Sequence, residues 1–265
     1  MEIYDGQRHE LTRRTLEHMV RAVSAATAER HPFPHVIIDG LFPFEIYREM
    51  LVLLPPRPLY EAFQYEKNAR GGQSTRERFQ LTNASIDRMS GRQRSLWLAV
   101  RDTLGSPAFR AAVFQQLRSG LAIRFGIAED KAAGTPGYPL PELFRETSGY
   151  SIKPHPDTRK KLVTMQIALA SDRTQEHLGT QFFRRSLNPA HMLREPRGFE
   201  VVKQAPFLPN TGYAFSVINN LRLKSWHGRT TLVGNTGIRN SILNIWYASA
   251  EDANPDLVKE YYRAA

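Results

Sequence analysis

The sequence predicts an α+β fold, in which helices brace an antiparallel sandwich or barrel of strands. Apolar residues recur at helical spacing through most of the first half of the chain. From Leu143 onward, short runs of β-branched and aromatic residues alternate with turn residues instead. Helices followed by a series of strands are typical of an α+β chain.

The helical half begins with a long amphipathic stretch over residues 11–30, where Leu11, Leu16, Met19 and Val23 share one face. The segments that follow predict a strand and turn over 31–40, a helix over 42–54 that ends at two prolines, a strand over 76–82, helices over 85–106 and 107–126, and a loop over 128–142.

The second half predicts a series of strands separated by turns. They are expected at Phe144–Ile152, Leu162–Leu169, Thr180–Phe183, Phe199–Gln204, Tyr213–Ile218, Leu223–Trp226 and Ile238–Tyr247. A chain of 265 residues can form one domain with a sizeable core. We expect a mainly helical part with short strands over 1–142, a strand core over 143–250 and a helical tail over 251–265.

Composition restricts the function classes. The chain is 41% hydrophobic and 23% charged, as expected for a folded globular protein. No apolar run is long enough to span a membrane and the N-terminus has no signal-peptide pattern, so we expect a cytoplasmic protein. Cysteine is absent, which excludes disulfides and thiolate metal sites and leaves histidine and carboxylate to hold any transition metal.

The net charge of +10 is compatible with nucleic acid, an anionic membrane surface or an anionic small substrate as partner, and equally with general solubility. The basic residues are spread along the chain, so an anionic small substrate is favoured over nucleic acid. Nucleic acid would be favoured if Arg76, Arg78, Arg184 and Arg185 formed one basic surface.

A histidine and a carboxylate stand two residues apart in the segment PHPD, at His155 and Asp157. On an extended segment such residues point to the same side, so both can converge on one ion. Pro154 and Pro156 restrict the backbone of this segment. Taken alone, the triplet favours a polar turn over a metal site.

A second group of polar residues lies downstream. His227 ends a strand-like run, and Arg239 opens the next apolar strand with Ser241 on the same face. Two histidines and one carboxylate form the facial triad of mononuclear non-haem iron(II), which leaves three coordination positions open. An arginine and a hydroxyl at i and i+2 can bind the distal end of a dicarboxylate.

Together these motifs resemble the 2-oxoglutarate- and iron(II)-dependent oxygenases, especially the branch similar to prolyl hydroxylases. The matching elements are PHPD, His227 in SWHG, and RNS at Arg239. HLGTQFF and HPFPHVIIDGLFPFEIYREMLVLLP are also similar to family segments, so the resemblance extends from about His31 to Tyr247.

The resemblance implies a double-stranded β-helix, a jelly-roll and cupin-like core, within a single oxygenase domain over 1–265. It implies that His155, Asp157 and His227 bind Fe(II), and that Arg239 and Ser241 bind the C5 carboxylate of 2-oxoglutarate.

The strand after Asp157 is expected to line the co-substrate pocket. Alternation places Thr164, Gln166 and Ala168 on one face of this strand, and we expect Thr164 and Gln166 to face the pocket. In several relatives a tyrosine from this strand joins the arginine. The aligned residue here is Ala168, which leaves the second contact to the carboxylate open.

The function implied is a dioxygenase that uses Fe(II), 2-oxoglutarate and dioxygen, with ascorbate as an accessory reductant, and releases succinate and CO2. Asp157 favours hydroxylation, desaturation, epoxidation or ring chemistry, since the related halogenases lack this carboxylate. We predict hydroxylation of a small molecule or a peptidyl residue, anionic or carrier-bound. The alternatives are an oxygenase acting on nucleic acid or a protein side chain, and a metal-free or zinc-containing cupin-like binding module.

Candidate substrate contacts come from residues beside the two halves of the predicted site. They are Tyr150, Lys153, Asn219, Arg222, Lys224 and Trp226. The substrate and the oligomeric state are left open.

Overall fold

Two antiparallel sheets form the core of the chain in a computed structural model, which describes residues 2–63, 69–70, 73–231 and 237–262. The strands are β1 (Ala28–Glu29), β2 (His35–Ile38), β3 (Glu61–Ala62), β4 (Ala69–Arg70), β5 (Gln73–Ser74), β6 (Arg76–Gln80), β7 (Tyr138–Glu146), β8 (Ile152–His155), β9 (Lys161–Ala168), β10 (Thr180–Arg185), β11 (Phe199–Ala205), β12 (Gly212–Ser216), β13 (His227–Arg229) and β14 (Arg239–Tyr247). The larger sheet has the order β1-β2-β12-β9-β14-β7-β6-β3 and the smaller β11-β10-β13-β8, while β4 and β5 pair separately.

Helices pack against the larger sheet. They are α1 (Glu2–Ala25), α2 (Phe44–Val52), α3 (Asn83–Ile86), α4 (Gly91–Gly105), α5 (Pro107–Gln116), α6 (Arg118–Phe125), α7 (Glu129–Ala132) and α8 (Pro255–Tyr261). Short 3-10 turns occur at Arg57–Leu59, Arg173–Leu178, Pro189–Met192 and Ala250–Asp252. Among the described residues, no helix is both long and apolar enough to cross a bilayer.

Side-chain alternation along β14 separates the helix-packed face of the larger sheet from its inner face. Trp246 contacts the rings of Phe109 and Phe114 on α5, with centroid distances of 6.0 and 5.8 Å. Asn244, on the same face, donates from Nδ2 to the backbone carbonyl of Leu104 at 3.1 Å. The intervening residues therefore face the smaller sheet. Burial of this apolar helix–sheet layer is the main stabilising contribution to the fold.

The fold class expected from the sequence is confirmed, but several element boundaries differ. The predicted strand at Phe144–Ile152 spans two strands, β7 and β8, separated by a turn at Gly149, whose φ is 93°. The predicted loop over 128–142 contains α7 and the first half of β7. Pro139 and Pro141 are tolerated in β7 because β6 pairs only with residues from Glu142 onward, so the prolines lie where β7 has a single partner strand.

The smaller sheet also departs from prediction. Residues 223–226 form only an isolated bridge at Lys224, and the strand begins at His227 instead of ending there. The three residues of β13 are polar or small, so hydrophobic patterning does not predict a strand. Pairing with β8 and β10 on both sides creates it. The last three residues of the predicted tail lie outside the described residues.

A buried histidine on β2 predicts acid sensitivity. The ring of His35 is fully buried, donates from Nδ1 to the carbonyl of Phe33 at 2.8 Å, and makes no hydrogen bond through Nε2 within the described residues. Burial lowers the pKa of His35 below its usual 6.5, and Lys203 acts in the same direction, while Glu29 opposes them from 3.9 Å. The unfolded chain therefore binds the proton more readily.

We expect the stabilising effect of neutral His35 to be complete above pH 6.5 and to be lost progressively as the pH falls below it. In urea unfolding of the metal-free chain, the loss of stability from pH 7 to pH 5 is expected to be smaller for His35→Leu than for wild type. Parallel stability–pH curves for the two proteins would contradict this.

Candidate metal centre and the adjoining cavity

Two histidines face each other across paired strands. His155 ends β8 and His227 begins β13, and the two residues are direct partners in the antiparallel ladder. Their ring centroids are 4.3 Å apart. Asp157 follows β8, and its Oδ1 and Oδ2 lie 3.6 Å from Nε2 of His155 and of His227, respectively. One donor atom from each residue lies within 4.8 Å of the other two, which is close enough to hold one metal ion.

Backbone hydrogen bonds orient both imidazoles. His155 donates from Nδ1 to the carbonyl of Lys153 at 3.0 Å, and His227 donates from Nδ1 to the carbonyl of Ser225 at 2.8 Å. Because a carbonyl can only accept, each ring carries its proton on Nδ1 and leaves the Nε2 lone pair toward Asp157. Burial lowers the pKa of His227 to about 4, so this ring is neutral near pH 7. Two neutral imidazoles and a carboxylate fit a divalent metal such as iron.

The carboxylate of Asp157 is held from several sides. Lys161 donates to Oδ1 at 2.7 Å, Thr164 donates to Oδ2 at 2.9 Å, and Asn219 donates to the backbone carbonyl at 3.1 Å. The residue has a positive φ of 58°, uncommon outside glycine and asparagine. Burial alone would raise the pKa of Asp157, but nearby positive charge, including the ion pair with Lys161, holds that pKa well below the usual value. The side chain is therefore an anion.

A cavity of about 100 Å³ adjoins the three residues, between the two sheets. Four cations and two carboxylates are among its lining residues, so these groups give the cavity an excess of positive charge. Its lining consists of Arg76, Glu146, Tyr150, Ile152, His155, Asp157, Lys161, Thr164, Gln166, Thr180, Tyr213, His227, Gly228, Arg229, Arg239 and Leu243.

Comparison with solved structures identifies the architecture. The dioxygenase for auxin oxidation 1 from Arabidopsis thaliana, solved with 2-oxoglutarate, is 13% identical, and the match covers 89% of this chain and 88% of that chain with a TM-score of 0.52. This chain has the double-stranded β-helix fold of the 2-oxoglutarate oxygenases. No protein-family model and no curated protein sequence matches it.

Two further solved structures are similar to this chain at lower TM-scores. A prolyl-4-hydroxylase from Pseudomonas putida is 11% identical over 88% of this chain and 99% of that chain, with a TM-score of 0.48. HygX from Streptomyces hygroscopicus, solved with nickel, 2-oxoglutarate and hygromycin B, is 10% identical over 81% of this chain and 83% of that chain, also with a TM-score of 0.48.

Within this oxygenase fold, the predicted anchor Arg239 is buried in a network at the end of the cavity. Its Nη1 donates to Glu146, its Nε donates to the carbonyl of Leu178 at 2.9 Å, and its Nη2 donates to Oε1 of Gln166 at 2.9 Å. Gln166 in turn donates to Oγ of Ser241 at 3.2 Å. The structure thus brings Arg239, Gln166 and Ser241 together, and their role in co-substrate binding stays a prediction.

The inward face of β9 agrees with the predicted alternation. Thr164 and Gln166 line the cavity, and the Oε1 of Gln166 also accepts hydrogen bonds from Thr180 at 3.0 Å and Tyr213 at 2.9 Å. Ala168 is buried near this end and has no polar side-chain atom to offer a ligand. The hydroxyl of Tyr213, on the neighbouring strand β12, also lies in the cavity lining. The alternation pattern of β9 does not predict this contact, because Tyr213 belongs to another strand.

The candidate substrate residues occupy different places. Tyr150 is buried and lines the cavity. Lys153 and Arg222 are exposed, and Trp226 packs against Phe199 on the outer face of the smaller sheet, with Lys224 over its ring at 5.4 Å. Of the six predicted substrate contacts, all within the described residues, Tyr150 is the one that lines the cavity. Asn219 holds the backbone of Asp157, as described above, and any contact between these residues and substrate stays a prediction.

Four charged cavity residues were not predicted as site residues from the sequence: Arg76, Glu146, Lys161 and Arg229. Arg229 could have been found, since it is two residues after His227 and shares its face on an extended strand. Arg76 and Glu146 could not, because they meet Arg239 only through the pairing of β6, β7 and β14. The carboxylate of Glu146 lies 3.0 Å from Nε of Arg76 and also receives the hydrogen bond from Arg239.

The glycine between His227 and Arg229 permits close approach of β13 and β8. A Cβ on Gly228 would lie 2.7 Å from the carbonyl oxygen of Ile152 and 3.1 Å from that of Lys153. We expect Gly228→Ala to push the strands apart, separate the two histidines and weaken Mn(II) binding by about 10- to 100-fold, as when groups that orient metal ligands are lost. Calorimetric titration measures this.

Gly134→Ala provides the control for this substitution. The nearest heavy atom to a Cβ at Gly134 is 3.5 Å away, an ordinary contact, so its Mn(II) affinity should match wild type. Equal affinity for the Gly228 variant would show that the strand spacing does not set the metal site.

Proposed function

We propose that this chain is a 2-oxoglutarate- and iron(II)-dependent dioxygenase that hydroxylates a small molecule or a peptidyl residue. The observation that carries the proposal is the convergence of two Nε2 atoms and one carboxylate beside a cationic cavity within this fold. His155, Asp157 and His227 would hold the iron. Bound iron with 2-oxoglutarate would supply oxidation of substrate by dioxygen, coupled to release of succinate and CO2.

The chain's own residues orient and insulate the metal site. The backbone carbonyls that accept from both imidazoles set their tautomers, and Lys161 and Thr164 hold the carboxylate of Asp157 in place. His227 and Asp157 are 7% and 8% exposed, so the protein shields these two side chains from bulk water. His155 is the more exposed ligand, and we infer that substrate enters from its side.

The opposite end of the cavity supports a dicarboxylate co-substrate. Arg76, Arg229 and Arg239 supply three guanidinium groups there against the single carboxylate of Glu146. An anion at this end would lower the free energy of a cluster that is otherwise over-charged. We propose that this is where the C5 carboxylate of 2-oxoglutarate binds, with Ser241 and Gln166 behind it.

The charge on the outside gives less support to nucleic acid as the substrate. Arg76 is 11% exposed and pairs with Glu146, so it is not part of a surface patch. Arg78 pairs with Glu142 and Arg184 pairs with Glu200. Arg185 is exposed and lies over the rings of Phe199 and Trp226. Because the other three residues of the predicted patch are buried or paired with a carboxylate, we prefer a small-molecule or peptidyl substrate.

Turnover of 2-oxoglutarate tests the proposed function. With Fe(II), ascorbate and dioxygen, wild type is expected to convert 2-oxoglutarate to succinate, and metabolite profiling should find a product that has gained one oxygen atom. Asp157→Ala provides the inactive control. Failure to bind Fe(II) or 2-oxoglutarate by calorimetry would refute the proposal, and tight zinc binding without any 2-oxoglutarate binding would favour the cupin-like binding module instead.

A further inference from the structure

Arg229 lies in the cavity, and one edge of its guanidinium makes no hydrogen bond to the described residues. It is 6% exposed, lies two residues after His227 on β13 and shares that residue's inward face. Its Nη1 donates to the carbonyls of Leu178 and Gly179, the latter at 2.8 Å. Both acceptors are backbone carbonyls just before β10, so Nη1 of the guanidinium is held beside the smaller sheet.

The other edge of the same guanidinium has no partner. Nε of Arg229 is buried without a hydrogen bond, and Nη2 donates none, within the described part of the chain. No described carboxylate lies within ion-pair distance of Arg229 either. A buried cation and a buried donor that are both uncompensated are costly in the free energy of folding. The Nε–H and Nη2–H of an arginine point the same way and match the two oxygens of a carboxylate.

Arg239, by contrast, is largely occupied by the protein. Each of its three nitrogens donates to a protein acceptor, and Glu146 already neutralises its charge. Ser241, the other predicted anchor, accepts a hydrogen bond from Gln166. Arg229 and Arg239 donate to the same carbonyl oxygen, that of Leu178, so the two guanidinium groups are neighbours from opposite sheets.

We propose that Arg229 is the direct receptor for the distal carboxylate of the keto-diacid co-substrate, bound through Nε and Nη2, with Arg239 as a supporting charge behind it. This inference rests on the proposed function. It assigns the second contact to the carboxylate, which the alanine at position 168 on β9 leaves open. It also predicts that Nε and Nη2 of Arg229 contribute more binding free energy than the predicted anchor pair, Arg239 and Ser241.

A ligand pair that differs only in the distal carboxylate tests the assignment. Calorimetry on Mn(II)-loaded protein, which does not turn over, would compare 2-oxoglutarate with 2-oxopentanoate. Arg229→Gln is expected to weaken 2-oxoglutarate binding by about 10- to 100-fold, the range for a hydrogen bond to a charged group. It should leave the weaker binding of 2-oxopentanoate unchanged. Arg229→Lys keeps the charge without the fork and should give an intermediate loss.

The matched control is Arg94→Gln on α4, where the arginine is exposed and pairs with Asp87. Its affinity for both keto acids should equal that of wild type. If Arg229→Gln fails to fold, as judged by circular dichroism, the comparison between Arg229→Lys and wild type decides the question, with selective weakening of 2-oxoglutarate as the supporting result.

Two results would overturn the assignment while leaving the proposed function intact. One is wild-type affinity for 2-oxoglutarate in the Arg229 variants. The other is an equal loss for both keto acids, which would indicate a structural role or a contact with the primary substrate. By contrast, a wild-type protein that binds Mn(II) but not 2-oxoglutarate would refute the proposed function itself.

Discussion

Asp157→Ala is expected to abolish turnover and to weaken Fe(II) binding by more than about 100-fold, the upper range for the loss of groups that only orient a metal ligand. Asp157 supplies the anionic donor, which faces both Nε2 atoms at 3.6 Å. Without it, two neutral imidazoles remain, and the positive charge of Lys161 is no longer compensated beside the ion. Anaerobic calorimetry with Fe(II), together with succinate formation, measures both effects.

The effect should be specific to this carboxylate. Asp87→Ala removes a half-exposed carboxylate that pairs with Arg94, and its metal affinity and turnover should equal those of wild type. Retained iron binding in Asp157→Ala would mean that the ion is held elsewhere. Restored but weaker binding in Asp157→Glu would support coordination, since the longer side chain keeps the charge but displaces the donor atoms.

Local rules account for part of this site, because His155 and His227 lie on short strands, whereas Asp157 follows β8 with a φ of 58°. The i and i+2 spacing of His155 and Asp157 predicts their convergence, and the same rule applied to His227 predicts the direction of Arg229. Alternation along β9 likewise places Thr164 and Gln166 in the cavity.

The positions of the other charged cavity residues depend on strand register, which a single sequence does not specify. Arg239 lies opposite Glu146, and Glu146 lies opposite Arg76, only because β14, β7 and β6 adopt this alignment. A shift by one residue would turn Glu146 to the helix-packed face. The polar strand β13 is also set by its neighbours, β8 and β10, since its three residues have weak strand propensity by themselves.

The buried ion-pair cluster that depends on this register should be a major determinant of stability. Glu146 is 1% exposed and neutralises Arg239 while lying 3.0 Å from Arg76. We expect Glu146→Gln to lower the free energy of unfolding by about 3–5 kcal/mol, because two buried guanidinium groups then lack a counter-charge. Urea unfolding of the metal-free protein measures the change. Glu176→Gln, at the exposed pair with Arg173, should leave the midpoint unchanged.

A double-mutant comparison separates lost attraction from uncompensated charge. If most of the cost in Glu146→Gln comes from Arg239 left without its partner, then Glu146→Leu combined with Arg239→Leu should destabilise the protein by less than the sum of the two single substitutions. Additive losses would mean instead that each residue stabilises the fold through separate contacts, such as the bond from Arg239 to the carbonyl of Leu178. Since that carbonyl also accepts from Arg229, additivity would further predict that Arg239→Leu disturbs Arg229 and weakens binding of 2-oxoglutarate, while binding of 2-oxopentanoate is unchanged.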